Sequence, residues 1–173
     1  MAGGDSTSAL LKSVSRSFYL SLAVLPAAVR PAIGLAYLLA RAADTIADTR
    51  LIDRHQRITH LLALRDELDV PEPGRLEAIV DATRRVQSLA AERALLERLP
   101  GCLAAYRALL ADDRRRVRRV LETIVEGMTE DLARFPGEDE GGLAALDTRA
   151  ELDRYTYLVA GCVGEFWTEV HVA

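Results

Sequence analysis

Cysteine and aromatic residues are scarce in this 173-residue chain, which contains two cysteines and only 5% Phe, Trp and Tyr. Two cysteines give no disulfide framework, and Cys102 and Cys162 each lie in an apolar helical context. We interpret both as small buried side chains of a protein in a reducing compartment. The low aromatic content, beside abundant Ala, Leu and Arg, favours helices over strands.

The chain also lacks the motifs of several large enzyme classes. It contains no P-loop, dinucleotide-binding glycine fingerprint, nucleophile elbow or zinc-ligand spacing, and no internal repeat. The formal net charge of −4 gives no overall basic field, so nucleic acid is not an expected partner.

No charged-then-apolar leader opens the chain. The most apolar region, residues 20–40, is interrupted by Pro26, Arg30 and Pro31, so we expect no membrane-spanning helix. The expected location is therefore the cytoplasm.

Half of the residues are hydrophobic and 28% are charged, which is typical of one compact domain, here residues 1–173. Apolar residues recur at helical spacing, which predicts an all-α bundle of about six to eight helices. The predicted helices include a first one capped by Asp5 or Ser6, one over 27–49, one capped by Asp53, a continuous one over 75–99, one capped by Asp112 or Asp113, and a last one starting near Asp147.

A polar stripe runs along the second predicted helix, which is otherwise apolar. Tyr37, Arg41, Asp44 and Asp48 follow one another at steps of four, three and four residues, so their side chains share one face. Two interpretations are open: a narrow solvent-facing strip, or a strip that faces an internal cavity where Asp44 and Asp48 hold a hard cation. Mg²⁺ prefers oxygen ligands and is often held by one or two carboxylates together with substrate phosphates.

Three further features carry weaker signals. Ser15, Arg16 and Ser17 form either a surface strip or an anion-binding patch, in which hydroxyl and guanidinium groups contact phosphate oxygens. The arginine run over 114–119 lies opposite a clean apolar stripe and is better interpreted as a solvated face. Gly127 lies inside a predicted helix, where it costs about 1 kcal/mol relative to Ala, and this favours close packing or space for a bound molecule.

Three segments together resemble motifs of the squalene and phytoene synthase family, the head-to-head prenyltransferases. Ser15-Arg16-Ser17-Phe18 is similar to that family's opening Ser-(Arg/Lys)-Ser-Phe motif, and residues 37–48 resemble its first aspartate-rich motif. Residues 126–132 and then 155–164 resemble its Gly-Met-x-x-Asp and Tyr-x-x-x-Val-Ala-Gly-x-Val-Gly signatures. The motifs stand in the family's order and span most of the chain.

The resemblance implies the N-terminal part of an all-α isoprenoid-synthase fold with a central cavity. By the family pattern, Asp44 and Asp48 would hold Mg²⁺ against a substrate diphosphate, and Tyr155 would lie near the reacting carbons. The other substrate-binding positions would be Ser15, Arg16, Ser17, Tyr37 and Arg41 around the phosphates, Phe18, Val159 and Cys162 along the prenyl chain, and Asp131.

The implied activity is Mg²⁺-dependent, head-to-head condensation of two prenyl diphosphates, farnesyl or geranylgeranyl. The reaction would pass through a cyclopropyl diphosphate intermediate to a squalene- or phytoene-type product, with NADPH as a further cofactor for the squalene type. The implied partners are the prenyl diphosphate and, for the lipid product, a peripheral membrane contact. The alternative is a non-catalytic prenyl-diphosphate-binding or assembly subunit.

One departure from the family pattern concerns the second aspartate-rich motif, which the family carries beyond the Val-Ala-Gly-x-Val-Gly segment. Here nine residues follow Gly164 and none of them is Asp. Three interpretations are open: a truncated domain whose C-terminal part is missing, a chain that needs a partner chain to complete the site, or a protein that has lost the activity. We expect the first, and little or no activity from these 173 residues alone.

Overall fold

The computed structural model describes residues 10–12, 14, 18–136 and 141–172, and only the backbone of Phe18. Within these ranges it contains α-helices, one π-helical turn and no strand, so the expected all-α class is confirmed. In chain order the elements are α1 (Phe18–Ala23), α2 (Arg30–Asp48), α3 (Arg54–Glu67), α4 (Arg75–Arg84), α5 (Ala90–Glu97), α6 (Leu99–Arg107), α7 (Ala111–Arg134), α8 (Arg149–Thr156), the π turn (Tyr157–Gly161) and α9 (Cys162–His171).

Helix α2 lies at the centre of the bundle and contacts α1, α3, α5, α6, α7 and α9. Its apolar residues supply much of the core, and Leu38, Leu39, Ala42, Ala43 and Ile46 are each at most 1% exposed. The long helix α7 packs against α2, α3, the π turn and α9. The polar stripe of α2 and the signature residues of α7 therefore lie on helices that contact each other directly.

Local chemistry explains several helix boundaries, including the predicted cap at Asp53. Asp53 caps α3, since its carboxylate accepts hydrogen bonds from the backbone N–H groups of His55 and Gln56 at 2.8 and 3.4 Å. Pro31 and Pro100 lie in the first turns of α2 and α6, where a missing N–H group costs nothing. Gly74 precedes α4 with a φ of 83°, a conformation that favours glycine.

The continuous helix expected over 75–99 is wrong, because the chain leaves the helical path after Arg84 and α5 begins at Ala90. No Gly or Pro marks this break. Polar groups of Gln87 form it: its side-chain oxygen accepts from the Leu89 N–H group at 3.0 Å, and its backbone carbonyl accepts from Arg93.

The predicted caps at Asp112 and Asp113 are also wrong. The N-cap of α7 is Leu110 and the helix begins at Ala111, so both aspartates lie in its first turn, where they interact favourably with the helix dipole. They form ion pairs with Arg115 and Arg116 at 2.6 and 3.1 Å. The arginine run thus belongs to a surface of paired charges, and the interpretation as a solvated face is confirmed.

The final helical segment begins at Arg149 after the N-cap Thr148, whose hydroxyl accepts from the Glu151 N–H group at 3.2 Å. It is interrupted by the π turn before α9. The predicted first cap, Asp5 or Ser6, lies outside the described residues. Cys102 and Cys162 are buried free thiols, as expected. None of the helices in the described ranges combines the length and apolar character needed to cross a membrane.

Candidate functional site

The polar stripe of α2 lies between the buried core and the surface. Tyr37, Arg41 and Asp44 are partly buried and Asp48 is exposed, while the opposite side of the helix is fully enclosed. This arrangement follows from the sequence, because the apolar residues fill every other direction around the helix and leave one polar edge.

Arg41 is the centre of a charge cluster that joins two helices. Its guanidinium group donates one hydrogen bond to the Asp44 carboxylate, one turn along α2, and another to Glu92 Oε1 at 2.5 Å. Glu92 lies in the first turn of α5 and its side chain is only 13% exposed. The side chains of Arg41 and Asp44 are 33% and 37% exposed, so water still reaches this pair.

Negative charge is concentrated around Asp44. Burial, followed by the charges of Asp48 and Glu92, raises the pKa of Asp44, and the neighbouring Arg41 offsets this only in part. The pKa of Tyr37 is also raised, mainly by burial, while the charge of Arg41 acts in the opposite direction. The cluster is therefore short of positive charge, and a cation bound beside Asp44 would relieve the repulsion.

A second polar centre joins α7 to α8. The Tyr155 hydroxyl donates a hydrogen bond of 2.6 Å to Asp131 Oδ1, and the ring of Phe135 meets the Tyr155 ring edge-on at 5.7 Å. The bond to Asp131, together with burial, raises the pKa of Tyr155 to about 12. Two contacts thus fix the phenol of Tyr155, which stays protonated throughout the physiological range.

The remaining predicted site residues divide into three groups. Val159 is 41% exposed, whereas Cys162 is 4% exposed and lies in the core, its thiol directed to the Leu158 carbonyl at 3.4 Å. The structure thus puts these two predicted pocket residues in different environments. Ser15, Arg16 and Ser17, with the side chain of Phe18, lie outside the described residues.

Glu92 is the site residue that the sequence analysis missed. It is 51 residues from Arg41 and reaches it only because α5 packs against α2. A glutamate in the first turn of a helix is common, because its negative charge interacts favourably with the helix dipole. The position of Glu92 in the sequence therefore carries no distinguishing signal.

Asp44 and Asp48 fit the requirements of a magnesium ion bound together with a substrate. They place two hard carboxylate oxygen donors one turn apart, in a cluster with unbalanced negative charge. Across the described ranges, no group of three or more His, Cys, Asp and Glu side chains is assembled for a metal ion. A Mg²⁺ ion that takes its other ligands from phosphate and water requires no such group.

Comparisons with known proteins agree with this architecture. The family model for squalene/phytoene synthase matches residues 11–173. A bifunctional lycopene cyclase/phytoene synthase from Blakeslea trispora is 29% identical over 95% of the chain, and a squalene synthase from Yarrowia lipolytica is 30% identical over 94%. The solved complex of TcSQS with the ligand E5700 superposes with a TM-score of 0.75 and 26% identity over 99% of the chain.

The matches cover much less of these relatives than of this chain. The chain spans 24% of the Blakeslea trispora protein, 34% of the Yarrowia lipolytica protein and 44% of the TcSQS chain.

Proposed function

Because the chain belongs to the squalene/phytoene synthase family, we propose that it forms one wall of the active site of a head-to-head prenyltransferase. The proposed reaction condenses two farnesyl or geranylgeranyl diphosphates through a cyclopropyl diphosphate intermediate. The observation that carries the proposal is the charge cluster between α2 and α5, where Arg41 joins Asp44 to Glu92 beside Asp48.

In this proposal Asp44 and Asp48 hold Mg²⁺ and Arg41 faces the substrate diphosphate. Mg²⁺ held there would supply positive charge to the diphosphate leaving group. Tyr37 lies on the same face and its hydroxyl, kept protonated by a raised pKa, donates to phosphate oxygen. Glu92 accepts from Arg41 Nη2, whereas Asp44 accepts from Nη1, so Glu92 would still hold Arg41 in place if Asp44 were a metal ligand. Ser15, Arg16 and Ser17 complete the proposed phosphate contacts.

Departure of the diphosphate leaves an allylic cation that water would destroy, so the prenyl chain needs an apolar enclosure. We assign Phe18, Val159 and Cys162 to that enclosure on the family pattern. Tyr155, fixed by Asp131 and Phe135, is the proposed polar group next to the reacting carbons. Its protonated phenol is a weak nucleophile and an oxygen dipole, which suits it to stabilise a nearby cation without trapping it.

We propose a squalene-type or a phytoene-type product. A squalene-type product requires NADPH to reduce the cyclopropyl intermediate, and a phytoene-type product requires no reductant. Either product is a long hydrocarbon, so we propose a cytoplasmic protein with peripheral membrane contact for release of the lipid product.

We further propose that these 173 residues fold as one all-α unit that a further polypeptide segment or a partner chain completes. Two observations support this. The chain spans less than half of each relative named above. In addition, Tyr157, Val159 and Val163, near the end of the chain, are each 41–42% exposed although they are apolar or aromatic.

Isothermal titration with a non-hydrolysable farnesyl diphosphate analogue, with and without Mg²⁺, tests the diphosphate site. We expect Mg²⁺-dependent binding that Asp44→Asn and Asp48→Asn each weaken by roughly tenfold or more, since tenfold corresponds to about 1.4 kcal/mol. Asp81→Asn is the matched control, because Asp81 is an exposed helical aspartate paired with Arg84 three residues away. Equal binding by all variants would refute the proposed site.

Turnover separates the enzyme from the alternative, a prenyl-diphosphate-binding or assembly subunit. A chimera tests this, made of the 173 residues and the part of the Yarrowia lipolytica squalene synthase that follows the matched region. We expect Mg²⁺-dependent consumption of farnesyl diphosphate by the chimera and little or none by the chain alone. Binding without turnover in both proteins would favour the subunit.

A further inference from the structure

Helix α7 approaches the π turn unusually closely at Gly127. A methyl group placed on Gly127 would lie 3.0 Å from Leu158 Cβ and 3.2 and 3.3 Å from the carbonyl carbon and oxygen of Leu158. Carbon atoms in good contact lie about 3.5–4.0 Å apart, so a side chain at residue 127 has no space unless the backbone of Leu158 moves.

The approach lies within the π turn. The Cys162 N–H group donates to the Tyr157 carbonyl five residues earlier, which is the hydrogen bond that defines a π-helix. Leu158, the second residue of this turn, is 4% exposed and its backbone lies against α7.

The same interface carries the Tyr155–Asp131 hydrogen bond one turn away. Gly127 and Asp131 are four residues apart and share one face of α7, and Tyr155 and Leu158 are three residues apart on the opposing segment. Gly127 therefore meets Leu158 while Asp131 meets Tyr155 at 2.6 Å. A displacement of the Leu158 backbone would also move Tyr155, three residues earlier on the same segment, and lengthen its hydrogen bond to Asp131, which at 2.6 Å is at the short end of the usual O–H···O range.

We propose that Gly127 is a positioning residue: the absence of a side chain lets the π turn pack on α7 and so places the Tyr155 hydroxyl on Asp131. The functional consequence rests on the proposed role of Tyr155, whereas the placement itself does not. Ion pairs of Arg154 with Glu126 and Glu130 on the exposed side of the same interface would hold α8 loosely even when the placement is lost.

The test is a pH titration of Tyr155 in the 173-residue chain. NMR of tyrosine that is isotopically labelled at the ring carbon bearing the oxygen monitors the titration. Tyr155→Phe identifies the signal, and Asp131→Asn gives the value without the carboxylate. We expect Gly127→Ala to lower the pKa of Tyr155 from about 12 towards its ordinary value of 10. Gly101→Ala is the control, since Gly101 is also helical but a methyl group there meets nothing within 4 Å.

A Gly127→Ala protein with a lower melting temperature but a pKa of Tyr155 still near 12 would overturn the proposal, because Gly127 would then serve packing alone.

If Gly127→Ala does not fold, the variant Leu158→Ala tests the proposal instead. It keeps the backbone and Cβ contact with Gly127, so we expect the pKa of Tyr155 to stay high. A fall in that variant would assign the placement to the Leu158 side chain and overturn the proposal. Neither readout depends on catalysis, so failure here is distinct from failure of the proposed function.

Discussion

Charges from two helices compete for a single guanidinium group at Arg41. Asp44 shares the α2 face with Arg41 and lies one turn from Asp48, whereas Glu92 approaches from α5. Burial and the two other carboxylates raise the pKa of Asp44 despite its contact with Arg41. Without a bound cation, the ionised form of Asp44 therefore lowers the stability of the fold, a common property of sites arranged for a ligand.

Asp44→Asn is accordingly expected to stabilise the metal-free protein. The repulsion between carboxylates four residues apart on a helix costs about 0.2–0.5 kcal/mol, and we expect a gain in the free energy of unfolding of that order. Urea denaturation at low salt and neutral pH measures it, and addition of Mg²⁺ with diphosphate should reverse the order of stabilities. Asp81→Asn, which removes an exposed helical aspartate, is the control. A loss of about 1 kcal/mol or more in Asp44→Asn would mean that the pair with Arg41 outweighs the repulsion.

Tyr155 should contribute to the free energy of unfolding in a pH-dependent way. Its contribution is lost as the pH rises, whereas that of an ion-paired Asp or Glu is lost as the pH falls. The pKa of Tyr155 is raised from 10 to about 12 in the folded protein, so the protonated phenol stabilises the fold below pH 10, and this contribution is lost between pH 10 and 12. We expect the free energy of unfolding to fall more steeply over that window in the wild type than in Asp131→Asn.

The difference between the two proteins is the quantity to measure, because Tyr37, Tyr106 and Tyr157 also have raised pKa values and titrate in both. Denaturant midpoints at matched ionic strength provide it. Parallel curves of unfolding free energy against pH for the two proteins would show that the hydrogen bond to Asp131 does not raise the pKa of Tyr155.

At the scale of single elements, the sequence predicted the features that local periodicity and capping determine. Helix α2, its polar stripe and the Asp53 cap follow from periodicity and capping, and the structure reproduces each. The break after Arg84 was not predictable in this way, because the side chain and backbone of Gln87 make it, in a stretch without Gly or Pro.

The π turn and Glu92 were missed for a different reason. The sequence indicated close packing or space for a bound molecule at Gly127, and the structure confirms close packing there. The added residue of the π turn, however, depends on how Leu158 meets α7, a long-range packing that a periodicity of 3.6 residues cannot show. Contact between Arg41 and Glu92 likewise depends on how α5 packs on α2.

Glu67 connects three segments and should matter more for stability than its position at the end of α3 indicates. It is 3% exposed; its carboxylate accepts from the Glu72 N–H group at 2.8 Å and from Arg107 at 3.1 Å, and lies 3.5 Å from Arg75. Glu67→Gln keeps the size but removes the charge. We expect it to lower the free energy of unfolding by about 1–3 kcal/mol, the usual cost when a buried polar network loses a partner.

Glu77→Gln, at an exposed position in the first turn of α4, is the matched control and should change stability by about 0.5 kcal/mol or less. Thermal and urea unfolding of the two variants decide. Equal effects would show that water replaces the contacts of Glu67 at little cost.

At the scale of the whole molecule, the cluster on α2 and the Tyr155–Asp131 pair form one side of a proposed reaction space. Both lie on helices that pack together around α2 and α7. The segment from the π turn through α9 contributes a single buried row, Leu158, Cys162, Phe166 and Val170, while Val159 and Val163 beside it are 41% exposed. An apolar helix flank left open in this way is typical of a surface that another part of a protein covers.

That exposed flank predicts how the isolated chain behaves in solution. Burial of apolar area is worth about 25 cal/mol per Å², so two uncovered valines and the small residues around them favour weak self-association when nothing else covers them. We expect sedimentation velocity to show concentration-dependent association of the 173-residue chain, and Val159→Ser combined with Val163→Ser to reduce it. Val24→Ser combined with Leu110→Ser is the control, since those side chains are 82% and 79% exposed but belong to other segments, after α1 and before α7. In the chimera with the remaining part of the Yarrowia lipolytica squalene synthase, the wild-type valines should be covered. Val159→Ser combined with Val163→Ser should then lower the stability of the chimera rather than its association. A chain that stays monomeric at all concentrations, with a chimera indifferent to the substitutions, would show that this flank is an ordinary solvent-facing surface.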